Sequence, residues 1–412
     1  PTVASTAKPT DAPKVKITFV NWIGAEDATK PAVEAMLAAF MKKYPNITVE
    51  NMPIPFNNSK DQLIVMATGG TPPDISMVHT TWVAPLVDAG ALAPLDDILL
   101  NKADYVPGAT AGKIYGGKIM AVTWAPSPVV LYYNKLLLEK AGFKEAPKTW
   151  DEMLKQARAI AKLGKDAAGN QIYGFGVSSK KLAGAGYFNL PFMTAYGGKF
   201  QDDAGKINLN TPENVAAFKE LKALFEEKVT PEGLEIRDLR NLFATGNMGF
   251  HLDIEAGISI FAGLSPKKAD FAKDYGIMLV PGKEAGKPLE SITIEHTLAI
   301  YKGSKNQKEA ALLLDFLTGP EGMAIYNEKA GPKFPSRTST GKIDYYAKPE
   351  NAFTKVYIDE IAVAKPLPAT SSAFLSAMEE ISVAIQRVGI NKEDPTTVVK
   401  ELEAKVKTLY KQ

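Results

Sequence analysis

An α/β protein of two large lobes or three small ones is what this sequence predicts, and three observations predict it. Strand-like and helix-like segments alternate along the chain. At 412 residues, and at about 150 residues per domain, one small core is excluded. Hydrophobic residues make up 45% and charged residues 23%, so the chain can bury a sizeable core and lacks the composition of disorder.

In chain order, the first thirteen residues are rich in Pro, Thr, Ala and Ser without hydrophobic periodicity, and read as an extended tether over 1–13. A β-branched and aromatic run at 15–20 predicts a strand. Pro31 then opens a helix in which Val33, Met36, Leu37, Phe40, Met41 and Tyr44 fall at helical spacing, and Pro45 stops it before a strand at 47–49. That is a βαβ unit. A helix at 61–67, a strand at 74–78 and helices near 83–89 repeat the pattern, which predicts a mostly parallel sheet with helices on both faces. Further strands are predicted at 129–133, 173–177, 248–252, 275–280 and 297–301. Helices are predicted at 150–163 with Thr149 as N-cap, at 214–227, 309–317 and 396–410.

Composition excludes several functions. Lys and Arg total 48 against 46 Asp and Glu, and the Lys doublets are scattered, so no basic stripe offers itself to nucleic acid. With no cysteine there is no disulfide, thiolate metal site or thiol nucleophile. The longest uncharged stretches are broken by Pro, Gly and Asn and do not read as membrane spans. Gly282-Lys-Glu-Ala-Gly-Lys287 has three residues between its glycines where a phosphate loop has four, and Pro288 stands where Ser or Thr would hold magnesium; it reads as a hairpin turn. No zinc helix, nucleophile elbow or dinucleotide fingerprint is present, so no cofactor and no metal site is expected. A carboxylate pair of the glycosidase kind leaves no spacing signature, and Asp253, Glu255 and Glu295 are its candidates.

Several segments, in this order, resemble the family 1 extracellular solute-binding proteins of ABC importers, the group that includes maltose-binding proteins. They are Phe40-Met-Lys-Lys-Tyr-Pro-Asn-Ile-Thr-Val49, Ala67-Thr-Gly-Gly-Thr-Pro-Pro-Asp-Ile75, Asp88-Ala-Gly-Ala-Leu-Ala-Pro-Leu-Asp96, Tyr132-Tyr-Asn-Lys135 and Lys148-Thr-Trp-Asp-Glu152. Later carriers are Pro212-Glu-Asn214, Phe243-Ala-Thr-Gly246 and Gly319-Pro-Glu321. Most of these are scaffold: Asn134 caps a helix, and Trp150 packs where a helix meets the sheet. The resemblance implies a periplasmic-binding-protein-like fold, two α/β lobes joined by a three-crossing hinge that closes on a ligand in the cleft between them. It puts the crossings near 121–125, 275–279 and 319–325, giving lobes of 14–122 with 276–320 and of 123–275 with 321–412.

Ligands of open α/β sheets bind beyond the carboxyl ends of strands. Asn21 and Trp22 follow the first strand, His79 and Trp82 follow the strand at 74–78, and Trp124 lies at the first crossing. An indole face suits the C–H face of a sugar, and a neutral imidazole such as His296 both donates to and accepts from hydroxyls. Three histidines could also hold zinc, but no spacing supports that, and His251 reads as a core residue. Asp253, Glu255 and Glu295 are candidate acceptors for sugar hydroxyls. The resemblance adds Tyr187, which matches a ligand-contacting tyrosine, and Arg337, in a loop that reaches the cleft in such proteins. Ile254-Glu-Ala256 and the lone Phe374 depart from the maltose-binding pattern and favour a smaller or differently linked sugar.

The expected function is therefore a mono- or oligosaccharide-binding protein, not an enzyme. It would be monomeric, deliver its carbohydrate to membrane permease subunits, and bind no nucleic acid. A binding protein for a cationic polar ligand, held in a cation–π box, and a glycoside-processing enzyme are the alternatives. The expected location is the extracellular face of the membrane or the periplasm, with a lipid anchor through a cysteine upstream of Pro1.

Overall fold

A computed structural model describes residues 13–202 and 204–412; all but the last residue of the expected tether lies outside them. The described chain divides into two compact units, one reaching Ala125 and taking up 295–348, the other made of Pro126–Ile294 and Pro349–Gln412. The boundaries between these units follow Ala125, Ile294 and Lys348, which puts 276–294 in the second unit and 321–348 in the first.

The chain opens with β1 (Val15–Asn21), α1 (Lys30–Lys43), β2 (Ile47–Pro53), α2 (Phe56–Thr68), β3 (Ile75–His79) and α3 (Val83–Asp88). A small hairpin of β4 (Ile114–Tyr115) and β5 (Lys118–Ile119) precedes β6 (Val122–Pro128), which carries the chain across the first boundary. The second unit then runs β7 (Val130–Asn134), α4 (Lys135–Lys140), α5 (Trp150–Ala161), β8 (Tyr173–Phe175), α6 (Ala183–Phe188), α7 (Leu190–Ala195), α8 (Pro212–Glu226), α9 (Ile236–Ala244), β9 (Met248–Asp253), α10 (Ala256–Leu264) and β10 (Tyr275–Met278). Strand β11 (Ile292–Ile300) returns to the first unit, which adds α11 (Gln307–Thr318) and α12 (Pro320–Ala330). The second unit closes with α13 (Thr354–Ile361), β12 (Lys365–Pro366), α14 (Phe374–Gly389) and α15 (Pro395–Tyr410).

In the first unit the sheet order is β11-β3-β1-β2. Both β2 and β3 run parallel to β1, whereas β11 runs antiparallel to β3 with His296 opposite His79. Every residue of β3 is buried, as a central strand covered on both faces requires. Helix α1 buries Val33, Met36, Leu37 and Phe40, one apolar stripe at helical spacing.

The second sheet has the order β10-β7-β9-β8 and is mostly antiparallel: β7 opposes both β10 and β9, and only β8 and β9 run parallel. The mostly parallel expectation therefore fails here. Alternation of strand and helix fixes parallel pairing only when consecutive strands become neighbours, and here β7 and β8 are not neighbours. Thr149 and Asn134 act as the expected caps, accepting from the backbone N–H groups of Glu152 (3.2 Å) and Leu137 (3.0 Å). Trp150 is buried with its ring edge-on to Phe175 and Phe192. The turn at Gly282 closes as a hairpin, its N–H donating to the Lys287 carbonyl.

Candidate functional site

In the first unit, the carboxyl ends of β1 and β3 bring five rings together. Trp22 lies 5.4 Å from Trp82, 5.4 Å from Phe56 and 5.2 Å from His296, each edge-to-face. Phe56 lies 5.0 Å from Trp82 and 5.8 Å from His79, and His79 lies 5.6 Å from Trp82. Four of the candidates, Trp22, His79, Trp82 and His296, are thus one cluster, built because parallel strands deliver their ends to the same edge. Phe56 was not anticipated. It opens α2 and is 37% exposed, whereas Trp22, His79 and Trp82 are buried.

Both imidazoles are held neutral. Burial lowers the pKa of His79 to about 4, and burial together with the charge of Lys333 and the neighbouring His79 carries His296 well below its ordinary value. The Thr81 backbone N–H can only donate, so His79 Nδ1 accepts it and Nε2 carries the ring proton. Asn21 closes the turn after β1: its Oδ1 accepts the Gly24 N–H (2.7 Å), and its Nδ2 donates to Asn51 Oδ1 (2.7 Å). It is fully buried and braces Trp22 from the adjacent position in the chain.

The other candidates of this unit lie in separate groups. Glu295 is buried with Lys113, which donates to its Oε2, and with Thr123, whose hydroxyl donates to Oε1 (3.2 Å). Burial raises the Glu295 pKa, and Lys113 opposes the rise. Trp124 is buried in β6, where its Nε1–H donates to the Leu317 carbonyl (2.8 Å) and its ring meets Tyr326 edge-on at 5.3 Å. Arg337 is also buried. Its Nη2 donates to Asp315 Oδ1 (2.6 Å) and to the Tyr105 hydroxyl (2.7 Å), and the guanidinium stacks 4.4 Å above the Tyr105 ring. These contacts fasten the 101–106 loop to α11.

In the second unit, Asp253 ends β9 and is fully buried. Burial alone would raise its pKa, but a two-pronged ion pair from Arg240 (Nε and Nη2, 2.7 Å each) holds it far below the usual range. His251 lies 3.3 Å from Asp253 and packs on Phe243 and Phe261, a core histidine as expected. Glu255 accepts the Ser127 hydroxyl (2.9 Å), and Tyr132 donates to the Ile254 carbonyl (3.0 Å) beside Tyr357. Tyr187 lies within reach of the Arg240 charge, and burial pushes its phenol up to about 12. Its helix approaches α14 closely: a Cβ at Gly186 would sit 2.0 Å from the Met378 carbonyl, so only glycine fits.

No sequence spacing could have found Arg240 or Lys113. Arg240 lies 13 residues from Asp253 on another element, and Lys113 lies 182 residues from Glu295. Among the described residues no group of three or more His, Asp or Glu side chains could hold a metal ion, and no helix is long and apolar enough to cross a membrane.

Residues 25–324 match the family model of the bacterial extracellular solute-binding proteins. A protein of Brucella abortus (strain 2308) named as a binding protein is 27% identical over 421 residues, 100% of this chain and 96% of the relative. Among solved structures, an ABC transporter solute-binding protein from Thermotoga lettingae bound with α-D-tagatose is 25% identical, covering 96% of this chain and 99% of that one at a TM-score of 0.79. The maltose-bound MalE3 protein of T. maritima is 26% identical, covering 96% and 100% at a TM-score of 0.76.

Proposed function

Since this chain belongs to the bacterial extracellular solute-binding proteins, we propose that it captures a neutral mono- or oligosaccharide by hinge closure and hands it to the permease subunits of an ABC importer. The family works outside the cytoplasmic membrane. Monomeric action, a lipid anchor, and release of the sugar unchanged are further parts of the proposal.

The observation that carries it is the five-ring cluster of Trp22, Phe56, Trp82, His79 and His296 at the carboxyl ends of β1 and β3. Aromatic rings suit the apolar C–H face of a sugar, and imidazoles kept neutral by burial can meet a hydroxyl without a charge to desolvate. Two of the three candidate carboxylates speak for a neutral ligand over a cation. Asp253 is matched by Arg240 and Glu295 by Lys113, so neither is an unbalanced anion awaiting a positive partner. Tagatose and maltose in the related structures support the same class.

The test is a thermal-shift and calorimetry panel of maltose, maltotriose, D-tagatose, glucose and putrescine, with chromatography of the recovered sugar. A ligand at a hundred times its Kd should stabilise the protein by about 2.7 kcal/mol. Saturable sugar binding without product is expected. Binding of putrescine alone, or hydrolysis of a sugar, would replace this reading.

A further inference from the structure

Among the clustered rings, exposure singles out Phe56. Trp22 presents its edge or receives an edge at Phe56, Trp82 and His296, with interplanar angles of 80°, 65° and 87°. Trp82 lies under Phe56 at a tilt of 39° and is 5% exposed; Trp22 is 3% exposed. Both indoles are enclosed among neighbouring rings. Phe56, at 37%, is the exposed ring of the group.

Its backbone is also fixed. Pro55 sets the turn into α2, with its carbonyl accepting from the N–H groups of Asn58 (2.9 Å) and Ser59 (3.1 Å). The buried Ser59 hydroxyl donates to the Ile54 carbonyl (2.9 Å). A phenyl ring carried on a braced turn, packed against an indole and more than a third exposed, is an apolar platform built before any ligand arrives.

Resting on the saccharide reading above, we infer that Phe56 is the ring on which the sugar stacks, and that Trp22 and Trp82 are positioning residues behind it. A phenyl ring has no hydrogen-bonding atom, so it rewards the most apolar sugar faces. The favoured class is a pyranose unit that turns several C–H bonds to one side, as glucosyl units do, over sugars with hydroxyls on both faces. Selection at this position is by C–H face, and hydrogen bonding is left to other groups.

Titration calorimetry of the wild type, Phe56→Leu and Phe56→Tyr with maltose, maltotriose, D-tagatose and glucose tests this, with melting temperatures measured alongside. Leu keeps an apolar side chain on the turn without an aromatic face, and Tyr keeps the face. The expected result is a loss of about tenfold in affinity for Phe56→Leu, in keeping with the contribution of an aromatic pair. Phe56→Tyr should stay within about threefold of wild type, and the glucosyl sugars should lose more than tagatose in Phe56→Leu. Wild-type affinity in Phe56→Leu overturns the assignment while leaving saccharide transport standing. So does a larger loss in Trp82→Phe than in Phe56→Leu at unchanged melting temperature. A wild-type protein that binds none of the four sugars overturns the saccharide reading and this assignment with it.

Discussion

Glu360→Gln should make the protein more stable at alkaline pH. Glu360 is fully buried in α13 and accepts the Val280 N–H at Oε2 (3.0 Å). Its Oε1 lies 2.8 Å from the Ser291 hydroxyl, which is also 2.9 Å from the Val129 carbonyl. Burial raises the Glu360 pKa from 4.5 to about 7, and the hydrogen bonds from Ser291 and the Val280 N–H oppose the rise. A folded pKa above the unfolded one means that the stabilisation is full below the unfolded value and is lost as pH rises through the folded value. Integrating between those two pKa values, Glu360 alone withdraws about 2–3 kcal/mol of stability between pH 5 and pH 8. Glutamine copies the protonated acid: its carbonyl accepts from Val280 and its amide donates to Ser291, and it does not titrate. Urea unfolding of both proteins at pH 5, 6, 7 and 8 should give similar stability at pH 5 and an advantage for the variant of about 2 kcal/mol at pH 8. A difference that does not change with pH, or a variant that is less stable throughout, refutes the protonated arrangement.

Lys113→Met strands a buried carboxylate at Glu295 and should cost about 3–5 kcal/mol in urea unfolding at neutral pH, with Glu295→Gln in the same chain recovering most of it; equal losses in the single and double variants would refute the pairing. Sugar affinity should stay flat from pH 7 to about 5 and fall near pH 4. His79 has its folded pKa depressed to about 4, so its neutral form persists to that point; calorimetry showing a decline already at about pH 6.5 would mean that the imidazole is not desolvated. Trp124→Phe keeps an aromatic ring but removes the donor to the Leu317 carbonyl, and should cost about 1 kcal/mol of stability by thermal unfolding; an unchanged melting temperature would remove the hydrogen bond from the list of supports.

What could be read from the sequence was whatever is encoded over one or two turns of chain. Helix α1 follows from Val33, Met36, Leu37 and Phe40, and α5 from Thr149 and its apolar stripe, because period and cap are local properties. Phe56 was missed for the same reason. Between Pro55 and Asn57-Asn58 it joins no periodic pattern, so the predicted helix began at 61, while the structure starts it at Phe56. The first half of β11 was missed because Thr293 and Glu295 suggest an exposed edge, whereas the fold buries both. The sheet of the second unit was misread since no local signal says which strands become neighbours.

The site shows the same division between residue type and residue partner. The sequence offered Asp253, Glu255 and Glu295 as acceptors, and carboxylates at strand ends are a reasonable lure, but only the fold reveals that Arg240 and Lys113 arrive to meet two of them. A buried ion pair adds little net stability over an apolar pair, yet losing one partner is costly, so such pairs persist once formed and define what remains available. In the first unit the Phe56 ring is exposed, and the two imidazoles beside the indoles are neutral. A surface of that kind suits a ligand that is apolar on one face and hydroxylated at its rim. Which charges are already paired is a fact of tertiary contact that no spacing along the chain records.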